Sequence, residues 1–152
     1  MSTTRITQHV KAPRAAVYRA LLDGKSVAQW MVPEGMTSEV HTFEAHEGGT
    51  FRVSLTYDAP TGIGKTSAHT DTFHGTFVTL LENERVVQRL EFETDKPDMQ
   101  GEQTVTYSLF DAAGGTDVHG LHENLPSGVA PEDNKLGWQM ALRKLAALVE
   151  AE

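Results

Sequence analysis

From Thr37 to Glu123 apolar and polar residues alternate with a period of two, and this pattern predicts a run of antiparallel strands. The strands read as Thr37–Glu44, Thr50–Tyr57, His69–Leu81, Arg85–Glu93, Glu102–Phe110 and Thr116–Glu123. Turn residues separate them: Glu47-Gly48-Gly49, a hairpin loop from Asp58 to Ser67, Glu82-Asn83-Glu84, Asp95 to Gly101, and Ala113-Gly114-Gly115. A further strand, Thr3 to Val10, precedes them. Ala12-Pro13 then opens a helix with Pro at its first position and an apolar stripe of Ala16, Val17, Ala20 and Leu21. Asp23-Gly24 ends that helix, and Ser26 is the expected N-cap of a second short one, Val27 to Met31, which Val32-Pro33 stops.

The period also assigns faces. Phe51, Val53, Leu55 and Tyr57 point one way, as do Phe73 and Phe77, then Val86, Leu90 and Phe92, then Val105, Tyr107 and Leu109. The other face carries Arg52, Ser54 and Thr56, then Arg89, Glu91 and Glu93, then Thr104, Thr106 and Ser108, the composition of a solvated surface. One face therefore needs a cover. The last segment, Pro131 to about Val149, supplies it, with Leu136, Gly137, Met140, Ala141, Leu145 and Leu148 at helical spacing. The fold class is α+β of the helix-grip kind: a curved antiparallel sheet of about seven strands around a long C-terminal helix, with two short helices after the first strand. Residues 1–152 are read as one domain.

Composition narrows the function classes. With no cysteine, a disulfide framework, a thiolate metal site and a cysteine nucleophile are excluded. A net charge of −8 without a local Lys or Arg cluster argues against nucleic acid and against anionic membranes as partners. No apolar run near the N-terminus resembles a signal peptide, and none reaches the roughly 20 residues of a membrane span, so a soluble, cytoplasmic protein is expected.

Local motifs for chemistry are weak. Gly62-Ile63-Gly64-Lys65-Thr66 ends like a phosphate-binding loop, but Ala59 stands where the first glycine is required and a strand follows instead of a helix. His69 and His74, and likewise His119 and His122, are spaced so that each pair points to opposite strand faces. A metal site could only be assembled across strands, as from His46, His69 and Glu123, and no metal or other cofactor is expected. No G-x-S-x-G string marks a serine nucleophile. Carboxylate pairs such as Glu44 with Glu47 and Glu132 with Asp133 suit loops and first helical turns.

The order of elements, with Val10-Lys11-Ala12-Pro13 before Val17-Tyr18-Arg19-Ala20-Leu21, Trp30 before Pro33, Gly48-Gly49 before Phe51, and the string from His122 to Trp138 (HENLPSGVAPEDNKLGW), resembles the START and birch-pollen-allergen (SRPBCC) superfamily. Within it, the chain is most similar to the family related to the C-terminal domain of activators of the heat-shock-protein-ninety ATPase. That resemblance covers nearly the whole chain. It implies a cavity between sheet and helix that holds apolar or amphipathic molecules, with some relatives enzymes and others partners of chaperones. Gly48-Gly49 suits a tight hairpin of positive φ, while Gly137 suits a close approach of the helix to the sheet, with Trp138 covering the seam.

Three functions follow as expectations. The first is binding of a small hydrophobic ligand lined by Trp30, Phe51, Phe73, Phe77, Phe92, Tyr107 and Met140, with Trp30 at the mouth as a fluorescent reporter. The second is a protein-interaction module, with a chaperone or a second copy as partner. The third is a cyclase-, dehydratase- or hydrolase-like enzyme whose acid or base is His122, with Glu123 and Tyr107 as lesser candidates.

Overall fold

Among the described residues seven strands form one antiparallel sheet in the order β1-β7-β6-β5-β4-β3-β2. The computed structural model describes residues 2–32, 35–57 and 70–152. Pro33, the expected loop from Asp58 to Ser67 and His69 lie outside these residues. The strands are β1 Ser2–Val10, β2 Met36–Phe43, β3 Thr50–Tyr57, β4 Thr70–Leu81, β5 Arg85–Phe92, β6 Gln103–Ala112 and β7 Gly115–Leu125. From β2 to β7 the sheet is a meander, each strand bonded to the next in sequence. β1 then pairs with β7, Ile6 opposite Gly120 and Val10 opposite Thr116, so the first strand closes against the last.

Between β1 and β2 stand two short helices, α1 Arg14–Leu21 and α2 Gly24–Trp30. Pro13 is not the first helical residue: it keeps an extended backbone with ψ 156° one position earlier. The cap of α2 also differs from the sequence reading. Asp23 is the N-cap, and its carboxylate accepts from the backbone N–H of Ser26 at 3.3 Å and from the Ser26 hydroxyl at 2.8 Å. A carboxylate at the start of the turn takes the orphan amide and the negative charge suits the positive end of the helix, which leaves Ser26 as a donor in the first turn. Trp30 at the end of α2 donates from Nε1 to the Ala20 carbonyl at 3.0 Å and so fastens α2 to α1.

The long helix α3, Pro131–Glu150, starts with Pro at N1 and Glu132 and Asp133 in its first turn. It lies across the concave face, against β1 and both short helices. Its C-terminal half is packed solid. Leu142, Leu145, Ala146 and Val149 are buried among Val10, Val17, Leu21, Val27 and Val118. In the same filled region Phe77 is tilted against Phe51 and meets Phe43 edge-on, each with ring centroids 5.3 Å apart. Only Gly48 of the Gly48-Gly49 pair takes the positive φ, +84°. Gly49 is needed for room, since a Cβ there would meet the Glu44 carbonyl.

The outer face is laced by polar pairs across strands. Arg52 makes a bidentate pair with Glu93 at 2.8 and 2.9 Å, and His74 bridges Glu93 and Glu91 at 3.0 Å each. Among the described residues no helix is long and apolar enough to cross a membrane.

Candidate functional site

Between the N-terminal half of α3 and the sheet lies a cavity of about 560 Å³. Helix residues Asn134, Gly137, Trp138 and Met140 form one wall. The opposite wall is the inward face of the sheet, from Leu55 and Tyr57 on β3 through Phe73 on β4 and Leu90 and Phe92 on β5 to Tyr107 on β6 and His122 on β7. Leu125, Val129 and Ala130, in the segment that leads into α3, close one side. That segment is held by Gly128, whose N–H donates to the Asp98 carbonyl at 2.7 Å.

The sheet's inward face mixes apolar and polar side chains. Phe51, Val53, Phe77 and Val86 belong to the same buried core as Leu142 and Leu145. Among them Asp71 on β4, Gln88 on β5, Gln103 on β6 and His122 on β7 are buried polar residues, Gln88 opposite Phe77 and His122 opposite Val105. Of these, His122 and Gln103 are hydrogen-bonded to each other, and α3 reaches His122 through Asn134.

Gln103 and His122 belong to a connected polar chain with Thr4 and Asn134. The Thr4 hydroxyl on β1 donates to Asn134 Oδ1 at 2.7 Å. Asn134 Nδ2 lies 3.4 Å from His122 Nδ1, and His122 Nε2 lies 2.8 Å from Gln103 Oε1. Burial pushes the imidazole down to about 4, so His122 is neutral at pH 7. Gln103 is fully buried, and its Nε2 has no hydrogen-bond partner. Tyr107 is 3 % exposed and accepts from Trp138 Nε1 at 3.3 Å. Burial pushes its phenol up to about 12, against a smaller downward pull from the Trp138 hydrogen bond, so it stays protonated. Trp138 is edge-on to both Tyr107 and His122, with centroids 5.7 and 5.8 Å apart.

Of the lining residues expected from sequence, Phe73, Phe92, Tyr107 and Met140 stand at the cavity wall. Trp30, Phe51 and Phe77 do not: they are sealed in the core, Trp30 and Phe77 without exposed surface. They share the inward face or its helical cover but lie over the filled half. Trp30 is therefore not at the cavity wall, and Trp138 is the tryptophan that lines it. His122 and Tyr107 are at the wall. Glu123, the next residue on β7, points to the opposite face as strand alternation requires, and lies by Thr3, Arg5 and Lys135 in an outer surface cleft. His46 is exposed in the β2–β3 turn, with three strands between β3 and β7, so it cannot share a metal with Glu123. Among the described residues no group of three or more His, Cys, Asp or Glu could hold a metal ion.

Gln103, Gln88 and Asn134 went unread in the sequence. Their signal was an amide at an inward register position, two residues before Val105 in the case of Gln103 and two after Val86 in the case of Gln88. Which partners an inward polar residue finds, or lacks, is visible only in the assembled structure.

Comparison with known proteins fits this architecture. The solved structure of protein CV1439 from Chromobacterium violaceum is 32% identical with a TM-score of 0.88, over 99% of this chain and 98% of that one. An AHSA1-like protein from Aeromonas hydrophila is 20% identical with a TM-score of 0.73, over 99% and 93%. Protein MLL2253 from Mesorhizobium loti is 16% identical with a TM-score of 0.73, over 99% and 98%, and these last two speak to the fold alone. No curated protein matches the sequence. The family model described as activator of Hsp90 ATPase homolog 1-like protein matches residues 11–150, and the chain belongs to that family.

Proposed function

We propose that the protein binds a small, mainly apolar molecule in the cavity between the sheet and α3. The observation that carries this reading is the cavity itself. Its volume of about 560 Å³ falls within the roughly 300–1,000 Å³ of small-molecule sites. Its walls combine aromatic and aliphatic side chains with a few buried polar groups, the usual makeup of a site that gains affinity from burial and orientation from hydrogen bonds. Both ring nitrogens of His122 face amide partners, an arrangement suited to holding a molecule in place more than to shuttling protons.

Tryptophan fluorescence tests the reading, because one tryptophan is at the wall and the other in the sealed core. Titration with a panel of neutral aliphatic and alicyclic compounds should shift the emission of the wild type and of Trp30→Phe, and leave Trp138→Phe silent. An unchanged spectrum across the panel, with no heat of binding by calorimetry, would overturn it.

A further inference from the structure

The polar chain under the cavity has a direction, and its free end bears on what the cavity takes. Gln103 Oε1 can only accept, so His122 Nε2, 2.8 Å away, carries the ring proton. In a neutral imidazole the other nitrogen is then an acceptor, and Asn134 Nδ2 faces it at 3.4 Å. Asn134 Oδ1 in turn accepts from Thr4. Each link fixes the next, and the chain runs Thr4 to Asn134 to His122 to Gln103. It ends on two N–H groups of Gln103 Nε2 that have no acceptor, on a fully buried side chain that forms part of the cavity wall.

We infer that the cavity selects a neutral apolar molecule bearing a hydrogen-bond acceptor of the carbonyl type, and that the Gln103 amide, oriented by His122 and Asn134, is the group that reads it. This rests on the cavity being a binding site, as proposed above. A buried donor without a partner has lost its water and gained nothing in return, and a ligand acceptor relieves that cost where a hydrocarbon does not. The carbonyl is matched better than a carboxylate. Among the described wall residues there is no Lys or Arg. An anionic ligand would thus enter without a countercharge from those residues.

Four near-isosteric probes separate the possibilities: 2-acetylnaphthalene, 2-ethylnaphthalene, 1-(2-naphthyl)ethanol and 2-naphthoate, titrated by calorimetry into the wild type. The ketone should bind roughly tenfold more tightly than the hydrocarbon and more tightly than the carboxylate, the gain of about one well-placed buried hydrogen bond. In nitrogen-15 spectra the Gln103 side-chain NH2 signals should move with the ketone and hardly with the hydrocarbon. Gln103→Met, which keeps the volume and removes the amide, should bind ketone and hydrocarbon alike. Should that variant fail to fold, the wild-type NH2 signals decide. Equal affinity for ketone and hydrocarbon, or NH2 signals that stay in place with ketone bound, overturns the inference and leaves the binding function standing. Preference for the alcohol over the ketone also overturns it, since it would mean that the chain runs in reverse and presents the Gln103 carbonyl. If no probe binds at all, the binding reading falls and this inference with it.

Discussion

Trp138 lies across Gly120: a Cβ at position 120 would stand 2.6 Å from Cη2 and 2.7 Å from Cζ2 of the indole. The missing side chain on β7 lets α3 lay its largest ring directly on the sheet. There the ring meets Tyr107 and His122 edge-on and donates to the Tyr107 hydroxyl. The cavity wall at this point is thus fixed by an absence on one element and a ring on another.

Gly120→Ala should therefore act on the cavity as much as on the fold. The indole is held on two sides and cannot swing away freely, so the methyl forces either the ring or the helix outward. Overpacking of this kind costs about 1–3 kcal/mol. Urea unfolding should show a lowered midpoint, and the Trp138 emission, isolated in Trp30→Phe, should move to longer wavelength as the ring gains water.

The neutral imidazole of His122 makes stability depend on pH. Its value is lowered from 6.5 to about 4 by burial, so below pH 6.5 the unfolded chain binds a proton that the folded chain refuses. This contribution is fully present above about pH 6.5 and is lost as pH falls toward 4. At pH 5 the loss is on the order of 2 kcal/mol. Urea midpoints at pH 7 and pH 5 should differ by more in the wild type than in His122→Gln, and equal differences would show that the site is not the source.

On the outer face the Arg52 and Glu93 pair acts at lower pH. Hydrogen bonding from Arg52, opposed by some burial and helped by His74, lowers the Glu93 carboxyl from 4.5 to about 2. A lowered carboxyl stabilises above the unfolded value and ceases to do so as pH falls through the folded one, here between about 4.5 and about 2. Arg52→Met should flatten the acid-unfolding curve in that window while leaving the Trp138 emission at pH 7 unchanged. The check is circular dichroism between pH 5 and pH 2.

By itself the sequence determined the elements and their faces. Strand alternation placed Phe73, Phe92 and Tyr107 inward and Arg52, Glu91 and Glu93 outward, and helical spacing from Pro131 marked the cover, because burial of one face imposes a period that every local segment repeats. The tertiary structure alone decided three matters. It set β1 beside β7, since a pairing partner far along the chain leaves no local trace. It divided one inward face into a filled half, with Phe51, Phe77 and the short-helix residue Trp30, and an open half, with Phe73 and Phe92, since alternation tells a residue its face but not how near the helix comes. And it joined Thr4, Asn134, His122 and Gln103 from four elements into one hydrogen-bonded chain, since a buried polar group finds its partner by distance in space, which the order of residues does not carry.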